Sequence, residues 1–239
     1  MILTAHQPVY LPWLGLFHKI AMADAFCYFD DVQYQKKDWN NRNKLKGSNG
    51  EFWLTVPVKS KDHYSKKVGK IEVNNSIKWQ KKHLKSIELN YKSATYFDRY
   101  IGFFRDCYNR EWERLSDLNE YMLKWFLGTL GINVIYFKMS ELGFEGSKND
   151  LVLDMCRKLG ADVYIFGQLG KNYADVNTFN RHGIDVCFQE YIHPEYRQLH
   201  GAFRPYLSIV DLLFNEGPNS FDIIMNNNII TPESSAQVG

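Results

Sequence analysis

Only four cysteines occur in 239 residues, Cys27, Cys107, Cys156 and Cys187, and none stands in the close pairs that zinc ribbons or thioredoxin-like sites require. They are expected to be reduced, mostly buried thiols. No apolar run approaches the roughly 20 residues that span a bilayer, and no basic segment followed by an apolar stretch opens the chain. A soluble, cytoplasmic protein is therefore expected. Excess charge is missing too: 29 basic residues against 27 acidic leave a net +2, which neither requires nor excludes nucleic acid. The chain lacks GxGxxG, GxxxxGKS/T and GxSxG, so the standard dinucleotide, P-loop and hydrolase-elbow signatures do not apply. No internal repeat or low-complexity segment is present.

What the chain does have is an α/β rhythm. "MILTA" is a short buried strand ending at the polar His6, and Pro12 suits the first turn of the helix that runs through "LGLFHKIAMAD". "AFCYF" follows as a second strand ending at Asp30 and Asp31, so the opening reads β-α-β with parallel strands. "WNNRNKLKGSNG" is loop or hairpin chemistry, "FWLTVPV" a strand and "IEV" a short strand. Three amphipathic helices then cover 76–130, with Ile77, Leu84, Ile87 and Tyr91 expected on the inner face of the first and lysines on the other. From Ile132 strands "INVIYF", "DVYIFG" and "DVCF" alternate with helices stopped by Gly160 and Gly183. Ser208 and Asp211 have capping-box-like spacing in the last helix. The order predicts one α/β domain over 1–230, an open and mostly parallel Rossmann-like sheet with a helical, basic insert at 76–130, and a frayed tail at 231–239.

In such a sheet ligands bind beyond the C-terminal strand ends. Four of these ends carry polar clusters: His6 with Gln7; Asp30, Asp31 and Gln33; Gly167 and Gln168 leading to Tyr173; and Gln189 with Glu190, leading to "HPEYRQLHG" with His193, Tyr196 and Gln198. His6 suits a general base or a binding contact, because imidazole changes charge near neutral pH; the alternative is a histidine satisfied by carbonyls in a tight turn. Asp30 is the second candidate base, or a cap for the next turn. Tyr10 and Trp13 are placed to stack on a sugar or base, or to pack on the sheet. Arg42, between Asn41 and Asn43, is suited to an anion because guanidinium binds bidentately. His193 and His200 match no metal-ligand spacing, and no metal site is expected. Between Gln33 and Lys92 basic residues outnumber acids roughly three to one, an approach for anions or simply a solvated face.

The stretches "HQPVYLPWLGLFHKI", "FDDVQYQKKDWNNRNKLKG", "WLTVPV", "LGADVYIFGQLGKNY", "FQEYIHPEYRQLHGAF" and "LSIVDLLFNEG" together resemble the WbqC-like protein family, named for proteins of bacterial O-antigen clusters. The resemblance implies surface-polysaccharide biosynthesis beside nucleotide-linked aminodideoxy sugars. It suggests glycyl or other aminoacyl transfer to a sugar amine, a reaction that needs a base and oxyanion donors. His6 or Asp30 would be the base. Gln7, Arg42 and backbone N–H groups would bind phosphates or the oxyanion. Aminoacyl-tRNA as donor would give the lysine-rich middle phosphates to contact. The residues leave the cofactor open, and Asn43, Asp31 and Gln33 complete the binding candidates. The opening turn is also similar to that of nucleotidyltransferase-like folds but lacks their paired histidines. A non-catalytic nucleotide-sugar or glycan-binding protein and an RNA-binding accessory protein are the alternatives.

Overall fold

A computed structural model describes residues 1–59, 66–226 and 228. The opening unit is β1 (Ile2–His6), α1 (Leu14–Ala21) and β2 (Ala25–Tyr28). An antiparallel hairpin follows, β3 (Arg42–Gly47) and β4 (Gly50–Thr55), closed where Gly47 faces Gly50. Helices α2 (Trp79–Tyr91), α3 (Phe97–Asn109) and α4 (Leu115–Leu130) form the middle segment. The chain then alternates through β5 (Ile135–Lys138), α5 (Asn149–Leu159), β6 (Val163–Phe166), α6 (Val176–Arg181) and β7 (Asp185–Phe188), and continues into α7 (Ile209–Glu216) and α8 (Ser220–Met225). The frayed tail expected at 231–239 lies outside the described residues.

Five strands lie in the order β5-β2-β1-β6-β7, all parallel. Counted along the chain, this is the arrangement 3-2-1-4-5 of a doubly wound sheet, whose order reverses between β1 and β6. The sheet is an open α/β fold, as the alternating sequence pattern implies. Successive side chains on a strand point to opposite faces, and two cores result. Phe26 and Tyr28 pack with α1, α3, α4 and α7, while Leu3, Ala5, Ala25 and Cys27 pack with α5 and α6. Each fully buried Leu or Phe in these cores contributes about 1.5–3 kcal/mol.

Local chemistry explains the boundaries. Gly131 and Gly160 end α4 and α5 in the left-handed conformation, at φ 70° and 67°, where a Cβ would be strained. The Ser208 hydroxyl accepts the N–H of Val210 and caps α7. Two local expectations need correction. Ile87 and Tyr91 are buried as expected, but Ile77 precedes α2 and is 43% exposed, and Trp79 and His83 complete the buried stripe. Among the described residues "IEV" makes only isolated bridges, Val58 with Val73 and Glu72 with Arg114. None of the four cysteines is in a disulfide and all are buried, and burial pushes the thiols of Cys27, Cys107 and Cys156 up to about 12.

Candidate functional site

The turn that leaves β1 is held from three sides. Asn40, itself buried, donates its amide to the Pro8 carbonyl (2.7 Å), and its own carbonyl accepts from Asn119 of α4 (2.8 Å). The Tyr10 N–H donates to Trp39 O (3.1 Å), and the Pro12 carbonyl accepts from Ile209 N (2.7 Å). Leu11 takes φ +47°, a region a bulky L-residue avoids, and Asn43 Nδ2 fixes its carbonyl at 2.6 Å. The prolines and asparagines thus hold one strained corner in place.

His6 stands at that corner, partly exposed, with Nδ1 2.9 Å from the Gln7 carbonyl and its ring edge-on to Trp13 at 5.3 Å. A carbonyl can only accept, so Nδ1 carries the proton and Nε2 is left as the ring's acceptor. Burial, and secondarily the Lys19 charge, lower the imidazole to about 3, so it is neutral at physiological pH. The Gln7 Oε1 lies 3.4 Å from Asn40 Nδ2, which orients the Gln7 side chain and leaves its amide N–H₂ to donate elsewhere.

From His6 a line of rings leads outward over the hairpin. Trp13 and Trp39 are 5.9 Å apart, Trp39 and Trp53 5.6 Å, and the Arg42 guanidinium covers Trp53 at 4.3 Å. Trp53 is 42% exposed. The structure thereby brings together His6, Gln7 and Trp13 and places Arg42 at the far end of the ring track, on Trp53. Trp39 and Trp53 were missed in sequence, since their alignment depends on hairpin register, in which Trp53 sits opposite Lys44. Rings at these spacings suit stacking of a base or sugar.

The other predicted residues lie elsewhere. Tyr10 is fully buried, with its hydroxyl bonded to His83 Nδ1 (2.7 Å) and to Tyr108, so it belongs to the core and cannot stack on a ligand. Asn43 is likewise buried and holds Leu11. Asp30, 3% exposed, receives Ser140 N (2.9 Å) and Ser140 Oγ (2.7 Å), joining the ends of β2 and β5. Asp31 pairs with Lys67 at 2.6 Å, and Gln33 bridges Lys67 through its backbone. Gly167 and exposed Gln168 begin the turn after β6, and Tyr173 is 57% exposed beyond it. His193 sits in a ring of aromatics with Tyr206 at 5.2 Å and Phe203 at 5.9 Å, its pKa lowered by burial. Tyr196 donates to Asp211 (2.9 Å), and Gln198 accepts from Lys46 (3.1 Å) and Arg204 N (2.8 Å). These last two residues fold the 196–206 loop onto α7 and β3. Among the described residues no three His, Cys, Asp or Glu side chains are grouped to hold a metal ion, and no helix is long and apolar enough to cross a membrane.

Residues 7–223 match the WbqC-like protein family. The chain belongs to that family. This WbqC-like chain is also 34% identical over 220 residues to the uncharacterized protein Rv1507c of Mycobacterium tuberculosis, covering 91% of this chain and 95% of the relative. No solved structure matches it.

Acid should unfold this WbqC-like protein through its buried imidazoles. His83, 5% exposed, is lowered by desolvation to about 4 from an ordinary 6.5. Between those values the unfolded chain binds more protons than the folded one, so stability rises with pH and falls on acidification. His83 alone should cost on the order of 3 kcal/mol between pH 6.5 and 4. Urea midpoints at pH 7 and 4.5 measure this, and His83→Gln should flatten the difference; an equal difference in the variant would contradict it.

Proposed function

We propose that this protein is a cytoplasmic enzyme of bacterial surface-polysaccharide biosynthesis that transfers a glycyl or other aminoacyl group to the amine of a nucleotide-linked aminodideoxy sugar. The observation that carries the reading is His6: a neutral imidazole with Nδ1 tied to Gln7 O and Nε2 left as the acceptor, at the end of the strand where the sheet order reverses. Family membership supports the setting, and the tryptophan track supports a ligand with a stacking face. Asp30 is the weaker candidate base, because both of its oxygens already accept hydrogen bonds from Ser140.

In this reading the sugar amine attacks the activated acyl carbonyl and a C–N bond forms. His6 Nε2 takes the amine proton. The Gln7 amide donates to the oxyanion. Collapse breaks the bond to the leaving oxygen, which for an aminoacyl-tRNA donor is the ribose hydroxyl, and His6 returns the proton to it.

A mass-spectrometric assay supplied with nucleotide-linked aminosugars and aminoacyl donors tests the reading. The expected product is the sugar nucleotide heavier by one aminoacyl group. Because the aromatic track would serve a binding protein equally, saturable sugar-nucleotide binding without product would replace the enzyme with a non-catalytic module. Strong, salt-dependent RNA binding indifferent to sugar would favour the accessory role through the lysine-rich segment.

A further inference from the structure

Lys19 lies in the last turn of α1 and is only 4% exposed. Its ammonium donates to the Ala5 carbonyl at 2.9 Å, and among the described residues no carboxylate pairs with it. Burying an ammonium costs far more than one hydrogen bond returns, and a methionine of similar length would fill the same space without that cost. A buried cation kept without a counter-ion therefore points to an anion from outside the chain.

The strand pairing locates where that anion enters. β1 pairs with β2 through His6 opposite Tyr28, and β6 pairs with β7 through Phe166 opposite Phe188. Between β1 and β6, however, the ladder stops at Thr4 opposite Ile165, two residues before β1 ends. The Ala5 carbonyl, beyond that ladder, is met by Lys19. Thr4 and His6 alternate with Leu3 and Ala5, so His6 and α1 share a face of the sheet, and the Lys19 charge is felt at the imidazole. The ammonium thus sits at the parting of β1 and β6, the crevice at which open α/β sheets bind ligands.

We propose that Lys19 is the anion-binding residue of this crevice, and that its ligand is a phosphoryl group carried by a nucleoside diphosphate or by a free polyphosphate. The nucleoside source rests on the function proposed above; the anion site does not. A bound phosphoryl oxygen takes over Lys19 as its hydrogen-bond partner and offsets its charge. The same event relieves the repulsion that Lys19 exerts on protonated His6, so ligand binding raises the affinity of the candidate base for a proton.

Isothermal titration calorimetry of the full chain with inorganic pyrophosphate and with uridine diphosphate tests the site. Wild type should bind at least one, and Lys19→Met should weaken that binding tenfold or more while melting at or above the wild-type temperature. Binding of both probes assigns the site to the phosphoryl group itself, and binding of uridine diphosphate alone to the nucleotide source. Binding of neither, or equal binding by the variant, overturns the proposal. Should Lys19→Met not fold, the His6 ring resonances of wild type at pH 7 replace it: they should shift with saturating pyrophosphate, and unmoved resonances overturn the proposal. The transfer assay keeps the two readings apart. Pyrophosphate binding lost in the variant, with no transfer from any donor, retains the anion site and removes the acyl-transfer reading. Undiminished transfer by the variant overturns the anion site alone.

Discussion

Replacing His6 with alanine is expected to lower acyl transfer by a factor of roughly 10² to 10⁴, the range a positioned general base supplies. The loss should fall on kcat. Nε2 accepts a proton only as the amine commits to the carbonyl, so its removal leaves ground-state binding on the tryptophan track largely intact. The fold should survive, because His6 is partly exposed and its own hydrogen bond reaches only the adjacent Gln7 carbonyl. A histidine that merely grips the ligand would give the opposite pattern, a raised KM with kcat preserved. Trp13→Ala is the internal comparison: it removes the ring beside His6 and should raise KM more than it lowers kcat. Steady-state kinetics of the two variants, beside their melting curves, separates proton transfer from grip. An unchanged kcat in His6→Ala removes the imidazole from the chemistry.

The strand ends were legible because they are marked twice, by the end of an apolar run and by the polar residues that follow. His6 and the region of Asp30 were located that way, and both lie at the C-terminal edge of the sheet. Strand order was not legible: β2, β5, β6 and β7 are four residues each, and periodicity gives a strand its faces but not its neighbours. Residue type also misplaced Tyr10 and Asn43. Both are polar and close in sequence to the site, yet tertiary partners draw them into the core, where each finds a hydrogen bond. Lys19, by contrast, carries no mark in the sequence. A lysine in the last turn of a helix reads as a solvated charge complementing the dipole, and only the burial of all but one residue of α1 exposes the anomaly. The stretch "HPEYRQLHG" looked like ligand chemistry because it is dense in polar and aromatic groups, whereas Tyr196 and Gln198 are engaged within the chain.

That engagement makes Asp211 the carboxylate on which the largest stability effect should fall. Asp211 is fully buried, accepting from Tyr91 OH at 2.7 Å and from Tyr196 OH at 2.9 Å. Burial raises its pKa, while the two tyrosines and the nearby Lys46 charge oppose that rise. Lys46, 2% exposed, donates in turn to Ala202 O (2.6 Å) and Gln198 Oε1 (3.1 Å), so β3, α2, α7 and the 196–206 loop meet in one polar cluster. Asp211→Ala strands the Tyr91 and Tyr196 hydroxyls without their acceptor and leaves the Lys46 ammonium without its nearest buried negative charge. Breaking a buried charged network from one side costs about 3–5 kcal/mol. For a chain of this size that corresponds to a melting temperature lower by roughly 10 °C. Asp211→Asn should cost less, because its Oδ1 still accepts from one tyrosine while its N–H₂ faces the other. The loss in the alanine variant should be accompanied by faster amide exchange along 196–206, since Tyr196 and Gln198 are what fasten that loop. Melting of Asp211→Ala within a degree of wild type would show that the cluster is solvated rather than cohesive, and that the loop is held by its aromatic packing around His193 instead.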